Sequence, residues 1–267
     1  MNNKDFGFWC TSYKEKVATL KMIEQVREFH SDHPFHLISD DGEDFSKIAR
    51  KFDCLYSRNP NRIGCHSAGR NRGTSEGIWT LFHRMKESVL NELSGVEWII
   101  YMEPDVEVFR EIQFMPDYAL AGGPRGPCLK PALQSFLENK FPEIEVGNKG
   151  FARTWTGSGG SAIHVETFLD VLGSTSFEEW SEVSEIDPRA KDHGDIGITV
   201  LFQNKGVRTG GWKERGYTQM KKMGYEGRRK EAYPEYSAIM AKSYALAHAQ
   251  KMYYRDPWTP ELEALVS

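Results

Sequence analysis

Residues 96 to 108 read Val-Glu-Trp-Ile-Ile-Tyr-Met-Glu-Pro-Asp-Val-Glu-Val. The uncharged part from Trp98 to Met102 is β-branched and aromatic, which predicts a buried strand. Side chains alternate between the two faces of a strand, so Glu103 and Asp105 are expected to point the same way. Two neighbouring carboxylates repel each other unless a cation lies between them, and their oxygens suit Mg²⁺ or Mn²⁺. The alternative is a strand followed by an acidic turn in solvent.

Upstream of this stretch, strand and helix patterns alternate along the chain. Strands and helices are predicted in turn at residues 6–11, 17–29, 34–39, 45–52 and 54–56. A β-α-β-α-β order implies a parallel sheet with helices on its faces. A further helix, capped by Thr74 or Ser75, precedes the strand that starts at Trp98. The sequence therefore predicts an α/β fold with a mostly parallel central sheet.

Polar residues follow three of the predicted strands. They are the clusters Thr11-Ser12-Tyr13, Asp40-Asp41 and Glu103-Pro104-Asp105. In an open parallel sheet, ligands bind beyond the carboxyl ends of the strands. The convergence of three polar clusters on one edge predicts a binding site there.

Charge, apolar stretches and cysteine spacing exclude several classes of protein. The chain has 267 residues and a net charge of −4, which gives no overall attraction to nucleic acid or to an anionic membrane. No apolar stretch has the length of an integral membrane segment, and the polar N-terminus has no signal-peptide core, so a cytoplasmic protein is expected. The four cysteines are scattered and predict neither a zinc site nor a disulfide framework.

The second half of the chain holds three further candidates. The glycine-rich run Gly157-Ser158-Gly159-Gly160 lacks the ending of a phosphate loop; it would let a flat substrate approach the backbone, or it is a tight hairpin. Asp195 opens a predicted helix, either as a general base or as a helix cap. His248, in an apolar context, is either a metal ligand or structural.

Taken together, these features resemble the nucleotide-sugar-dependent glycosyltransferases of the GT-A fold, from Phe6 to about Trp258. In that fold an Asp-x-Asp motif ends a central strand and holds the metal. Residues 99–106 resemble that strand, with Glu103 in place of the first Asp. The resemblance implies Asp105 as a metal ligand, with Glu103 or Glu107 as its partner.

Several donor-binding residues follow from the same resemblance. Residues 64–73 resemble the Ala-Arg-Asn-x-Gly segment of the inverting synthase-type family, which implies that Arg70 and Asn71 lie near the nucleotide. Thr11 and Tyr13 resemble the first-strand residues that flank the base and ribose. Asp40 or Asp41 resembles the acid that accepts a hydrogen bond from uracil.

The rest of the resemblance concerns acceptor, base and metal. The Gly159-Gly160-Ser161 segment resembles the strand that lines the acceptor site. Residues 192–195 resemble both the base-carrying segment of inverting enzymes and the Asp-Gln-Asp segment of glycogenin-like retaining enzymes. Residues 248–258 resemble the C-terminal element of the latter, in which His248 would complete the metal site and Lys251 would hold the diphosphate. Trp155 and Trp212 are expected to stack on acceptor sugars, or else to pack in the core.

The sequence has no internal repeat and no clear linker, which indicates a single domain over residues 1–267. The resemblance divides it into a nucleotide-sugar-binding half (1–110) and an acceptor-binding half (111–267). The expected activity is Mn²⁺- or Mg²⁺-dependent transfer of a sugar, from a UDP-linked donor to a hydroxyl of a glycan or glycoconjugate. Inversion is favoured, with Asp195 as the base. The alternatives are a nucleotidyltransferase and a non-catalytic carbohydrate-binding protein.

Overall fold

The computed structural model describes residues 5–13, 16–40, 42–60, 74–123, 128–147, 150–154, 156–217, 242–248 and 264. The strands in these ranges are β1 (Phe6–Ser12), β2 (Phe35–Ser39), β3 (Leu55–Arg58), β4 (Trp98–Met102), β5 (Val106–Val108), β6 (Leu120–Gly122), β7 (Ser161–His164), β8 (Thr209–Gly211), β9 (Arg215–Tyr217) and β10 (Leu246–His248). The helices are α1 (Lys16–Phe29), α2 (Ser46–Lys51), α3 (Ser75–Asn91), α4 (Pro131–Lys140), α5 (Val165–Gly173), α6 (Phe177–Ile186), α7 (Arg189–Asp192) and α8 (Gly194–Asn204). None of the helices among the described residues combines the length and apolarity needed to cross a bilayer.

Seven of the described strands form the central sheet, in the order β3-β2-β1-β4-β7-β6-β8. The first four strands in that order are parallel, while β7 runs antiparallel to both of its neighbours, β4 and β6. Because β7 is reversed, the residues that enter it lie at the same edge as the residues that leave β4. The α/β class and the mostly parallel sheet predicted from the sequence are confirmed.

The period-two alternation of strand residues divides the core between the two faces of the sheet. On β1, Phe8 and Cys10 pack in the cluster that also holds the buried residues of α1. Trp9 points to the opposite face and packs with Tyr101 in the cluster that includes α3 and the later helices. The Trp9 indole donates its N–H to Ser88 Oγ of α3 at 2.9 Å. Both faces of the sheet are therefore buried, which explains why β1 and β4 read as nearly continuous apolar runs.

Helix α3 begins as the sequence predicts. The Thr74 hydroxyl caps the helix by accepting a hydrogen bond from the backbone N–H of Gly77 at 3.2 Å. Glu76 places a negative charge in the first turn, near the positive end of the helix dipole. The buried stripe Ile78, Leu81, Phe82, Met85 and Val89 follows at helical spacing and packs in the core cluster that holds residues of the sheet and of the later helices.

A second, smaller sheet has the order β5-β10-β9. Strand β5 follows closely after β4, and α1 fixes its position, because the buried Gln25 side chain accepts a hydrogen bond from the Val108 N–H at 3.0 Å. An ion pair joins the segment after β5 to the residue before β9, since the closest atoms of Arg110 and Glu214 are 2.7 Å apart. This small sheet joins the chain just beyond Asp105 to segments more than a hundred residues later.

The amino-terminal end of β1 carries a cluster of aromatic and histidine rings. His30 is almost fully buried, and its ring centre lies 5.4 Å from that of Phe6 and 5.0 Å from that of His33. The backbone N–H of Ile112 donates to His30 Nε2 at 3.3 Å, so this nitrogen acts as an acceptor and the ring is neutral. Burial, together with the charges of His33 and Arg27, lowers the pKa of His30 to about 3.

Acid is expected to destabilise the protein through this histidine. Between pH 6.5, the ordinary pKa, and pH 3 the unfolded chain binds a proton that the folded chain rejects, so the free energy of unfolding falls as the pH falls. We expect His30→Gln, whose amide oxygen can still accept from Ile112, to flatten this dependence. Urea unfolding at a series of pH values measures it. The matched variant is His83→Gln, at a less buried position, and an equal flattening there would contradict the assignment to His30.

Candidate functional site

The carboxylates of the opening stretch lie in a tight turn. Strand β4 ends at Met102, and the Val106 N–H donates to the Glu103 carbonyl at 2.9 Å, which closes a four-residue turn with Pro104 in its second position. The expectation that Glu103 and Asp105 share one face of a continuing strand is therefore wrong, and the turn of the alternative interpretation is observed. Their half-buried side chains stand instead on the turn that connects the two sheets, at the carboxyl edge of the large one.

Glu103 is held by two neighbours. The Tyr101 hydroxyl donates to Glu103 Oε1 at 3.1 Å. On the other side lies Gly159, where an added Cβ would come within 3.0 Å of Glu103 Oε2 and 2.8 Å of a Val106 methyl. The carboxylate is thus oriented by a hydrogen bond and by close packing against a glycine backbone.

Residues 156–161, which we call the glycine turn, lead into β7 and lie across the end of β4. The Gly160 N–H donates to the Tyr101 carbonyl at 2.6 Å, and Gly160 has a φ of +80°, a conformation that glycine adopts without strain. The Ser161 hydroxyl is fully buried and donates within the turn, to the carbonyls of Thr156 and Ser158. Of the predicted acceptor residues, Gly159 therefore lies beside Glu103, Gly160 is bonded to the end of β4, and the Ser161 hydroxyl is directed into the turn.

Asp195 lies in the first turn of α8, and the same glycine turn packs against that turn of helix. An added Cβ at Gly157 would come within 2.7 Å of the Asp195 carbonyl and 2.1 Å of an Ile198 methyl. The half-buried Asp195 carboxylate accepts a hydrogen bond from the Ile196 N–H at 2.9 Å. One short segment thus contacts both Glu103, through Gly159, and the helix start that carries Asp195, through Gly157.

The predicted metal ligand His248 lies on β10, where its backbone pairs with Val106, directly after Asp105, and with Tyr217. The structure thus brings the His248 backbone to the Glu103 turn, although its side chain lies outside the described residues.

Among the residues that the structure describes, no group of three or more His, Cys, Asp or Glu side chains is arranged to hold a metal. Glu103 and Asp105 offer oxygen ligands of the kind that Mn²⁺ and Mg²⁺ use, and the metal stays a prediction.

The predicted donor residues within the described ranges lie at the ends of β1 and β2. Thr11 and Tyr13 are half-buried there. Asp40 is buried, its N–H donates to the Ser12 carbonyl at 2.8 Å, and its carboxylate accepts from Arg84 of α3 at 3.0 Å. The other predicted donor residues, and one acceptor residue, lie outside the described residues: Asp41, Arg70, Asn71, Lys251 and Trp155.

Trp212, the remaining predicted acceptor residue, follows β8 and is almost fully buried. Its indole N–H donates to the Phe114 carbonyl at 2.9 Å, and its backbone N–H donates to the Gly122 carbonyl at 2.8 Å. These contacts tie β6 and β8 to the segment after β5. They give Trp212 the packing role that the sequence left open as the alternative to sugar stacking.

Sequence reasoning missed two residues that hold the glycine turn in place. Arg215, 1% exposed, donates to the Gly159 carbonyl and to the Ser158 hydroxyl, each at 2.7 Å from Nη2. The buried Thr199 hydroxyl, on α8, accepts from the Thr156 N–H of the turn and donates to the Asp195 carbonyl. Neither belongs to a sequence motif, and both reach partners more than forty positions away.

The close approach of the glycine turn to α8 can be tested with a matched pair of substitutions. Gly157→Ala places a methyl group against Ile198 and the Asp195 carbonyl, so we expect a loss of about 1–3 kcal/mol in the free energy of unfolding. Gly173→Ala, at the end of α5 where nothing lies within 4 Å, should leave that free energy unchanged or raise it by up to about 1 kcal/mol. Urea denaturation measures both. Equal effects would contradict the packing described here.

No family model matches the chain. No curated protein matches it in sequence either. Among solved structures, the chain is similar to the apo form of mouse xyloside xylosyltransferase 1, with a TM-score of 0.50 and 13% identity over 94% of this chain and 100% of that chain. At this identity the similarity shows the fold alone. The chain has a GT-A-like glycosyltransferase fold.

Proposed function

We propose that the protein is a metal-dependent glycosyltransferase that moves a sugar from a UDP-linked donor to a hydroxyl of a glycan or glycoconjugate, with inversion at the anomeric carbon. The observation that carries the proposal is the glycine turn, because it contacts Glu103 of the acidic turn and the helix start that carries Asp195. A transferase needs both groups at one place, one to hold the donor diphosphate and one to activate the acceptor. The fold shared with a xylosyltransferase supports the same class of activity.

Glu103, Asp105 and His248 would hold the divalent ion, which supplies charge neutralisation for the departing nucleoside diphosphate. The chain's own residues orient these ligands. Tyr101 fixes the Glu103 carboxylate through its hydroxyl, and β10 carries His248 into register with Val106. Holding ligands in place beforehand avoids reorganisation when charge develops in the transition state.

Asp195 would take the proton from the acceptor hydroxyl as it attacks the anomeric carbon. The Ile196 N–H holds one oxygen of its carboxylate at the start of α8, and the glycine turn fixes that helix start relative to the acidic turn. Gly157 and Gly159 are themselves buried, and the space that a side chain would take is occupied by Ile198 and Val106, so these two glycines serve the close packing of the turn.

Calorimetric titration of UDP tests the donor site. We expect UDP to bind in Mn²⁺ and not in EDTA, and we expect Asp105→Asn and Glu103→Gln each to weaken binding by at least about tenfold, because a metal ligand is lost. The matched variant is Asp32→Asn, which removes an exposed carboxylate before β2 and should bind as the wild type does. Binding of sugars without any affinity for UDP, GDP or TDP would instead indicate a carbohydrate-binding protein.

Hydrolysis and transfer assays with a panel of UDP-sugars test the reaction. UDP-xylose belongs in the panel because the similar solved structure is that of a xylosyltransferase. Asp195→Asn should lower kcat by about 100-fold or more while UDP binding is kept, because a general base contributes that much. Asp170→Asn, which changes an exposed carboxylate on α5, is the matched control. Proton NMR of the product shows inversion or retention, and retention with kcat unchanged in Asp195→Asn would contradict the base role.

A further inference from the structure

The glycine turn is held from two sides by side chains that belong to different parts of the fold. On the side of the small sheet lies Arg215 of β9, and on the side of the helices lies Thr199 of α8. Both side chains are essentially inaccessible to solvent. Neither has been assigned a part in the reaction so far, although each contacts the segment that separates Glu103 from Asp195.

Arg215 binds the half of the turn that packs on Glu103. Its Nε and Nη2 both donate to the Gly159 carbonyl, at 3.2 and 2.7 Å, and Nη2 also donates to the Ser158 hydroxyl at 2.7 Å. Gly123 lies so close to the guanidinium that an added Cβ would come within 1.6 Å of Nη1. A planar, multiply bonded guanidinium in a tightly packed site allows the Gly159 carbonyl little movement.

Thr199 binds the other half of the turn. Its hydroxyl oxygen accepts from the N–H groups of Thr156 and Gly157, at 2.9 and 3.2 Å, and it donates to the Asp195 carbonyl at 2.8 Å. One hydroxyl group thereby connects the start of the glycine turn to the residue proposed as the base. Burial makes these bonds costly to lose, because water cannot replace them.

We propose that Arg215 and Thr199 are positioning residues that set the placement of Glu103 relative to Asp195 through the glycine turn. Arg215 acts on the donor side, since it fixes the Gly159 backbone against the Glu103 carboxylate. Thr199 acts on the acceptor side, since it fixes Gly157 against Asp195. This inference rests on the proposed function for the roles of the two carboxylates, while the contacts of the turn stand independently of it.

Arg215→Lys tests the donor side. Lysine keeps the charge but replaces the planar fork with a single ammonium group, so we expect Mn²⁺-dependent UDP binding to weaken by about tenfold. The matched control is Arg27→Lys, because Arg27 also binds backbone carbonyls, those of Phe52, His33 and Asp53, at the opposite end of the sheet. Arg27→Lys should bind UDP as the wild type does, and thermal melting confirms that both variants are folded at the assay temperature.

Thr199→Val tests the acceptor side. Valine keeps the shape but has no hydroxyl, so we expect kcat for transfer to fall by about tenfold while the Kd for UDP changes less than twofold. Thr199→Ser restores the hydroxyl and should restore kcat. A general loss of structure would not produce this split between kcat and Kd, nor its rescue by serine.

Hydrogen exchange gives a readout that needs neither donor nor activity. A peptide covering the glycine turn should exchange faster in Arg215→Lys and in Thr199→Val than in the wild type, and should be unchanged in Arg27→Lys. Unchanged exchange in both site variants would overturn the inference whatever the protein binds. Wild-type levels of UDP binding in Arg215→Lys, or loss of UDP binding in Thr199→Val, would overturn the division of roles. Failure of the wild type itself to bind UDP would contradict the proposed function. The exchange result would still test the role of Arg215 and Thr199 in holding the turn, because it requires no UDP.

Discussion

The backbone of the glycine turn lies closer to its neighbours than any side chain would allow, and the arrangement of the site depends on that approach. At Gly122, an added Cβ would come within 2.1 Å of the Thr156 carbonyl, and similar collisions would occur at Gly157 and Gly159. The absence of Cβ atoms lets the end of β6, the end of β4 and the start of α8 meet at one place. Arg215 and Thr199 then supply the polar partners that a buried backbone requires.

The second constraint is the tight turn at Pro104. Proline fixes its own φ and has no N–H to continue a strand ladder, so the chain leaves the large sheet there and starts the small one at Val106. Gln25 of α1 captures the new strand through the Val108 N–H. Glu103 and Asp105 consequently lie at the junction of the two sheets, between the end of β4 and the start of β5. The reversed direction of β7 completes the arrangement by delivering the glycine turn to the same edge.

Much of the first half of the fold could be predicted from the sequence. The helix predicted at residues 17–29 is observed as Lys16–Phe29, and the strand predicted at residues 34–39 as Phe35–Ser39, because these segments have strong hydrophobic periods and clear flanking turns. The helices α5 to α7 were not predicted. They are only nine, ten and four residues long, so each offers few turns of pattern to read, and their packing on α3 and α8 is a property of the folded chain.

The sequence predicts where the candidate site lies, but not the contacts that hold its residues in place. Strand ends can be read from the pattern of apolar runs, so Glu103, Asp105 and Asp40 were found by their positions. Arg215 and Thr199 could not be found, because their partners lie more than forty residues away and no motif marks them. The error at Glu103 has a local cause, since the strand pattern was extended through a turn that has Pro104 in its second position.

On the proposed function, the close packing of the glycine turn limits which positions could change to suit a new substrate. Positions such as Gly157 and Gly159 are buried and have no room for a side chain, so a substitution there would disturb the packing. Substrate discrimination would then fall to half-buried residues at strand and helix ends, such as Thr11, Tyr13 and Asp195. A mutant library that aims to change substrate preference would therefore vary these half-buried residues and leave the glycines unchanged.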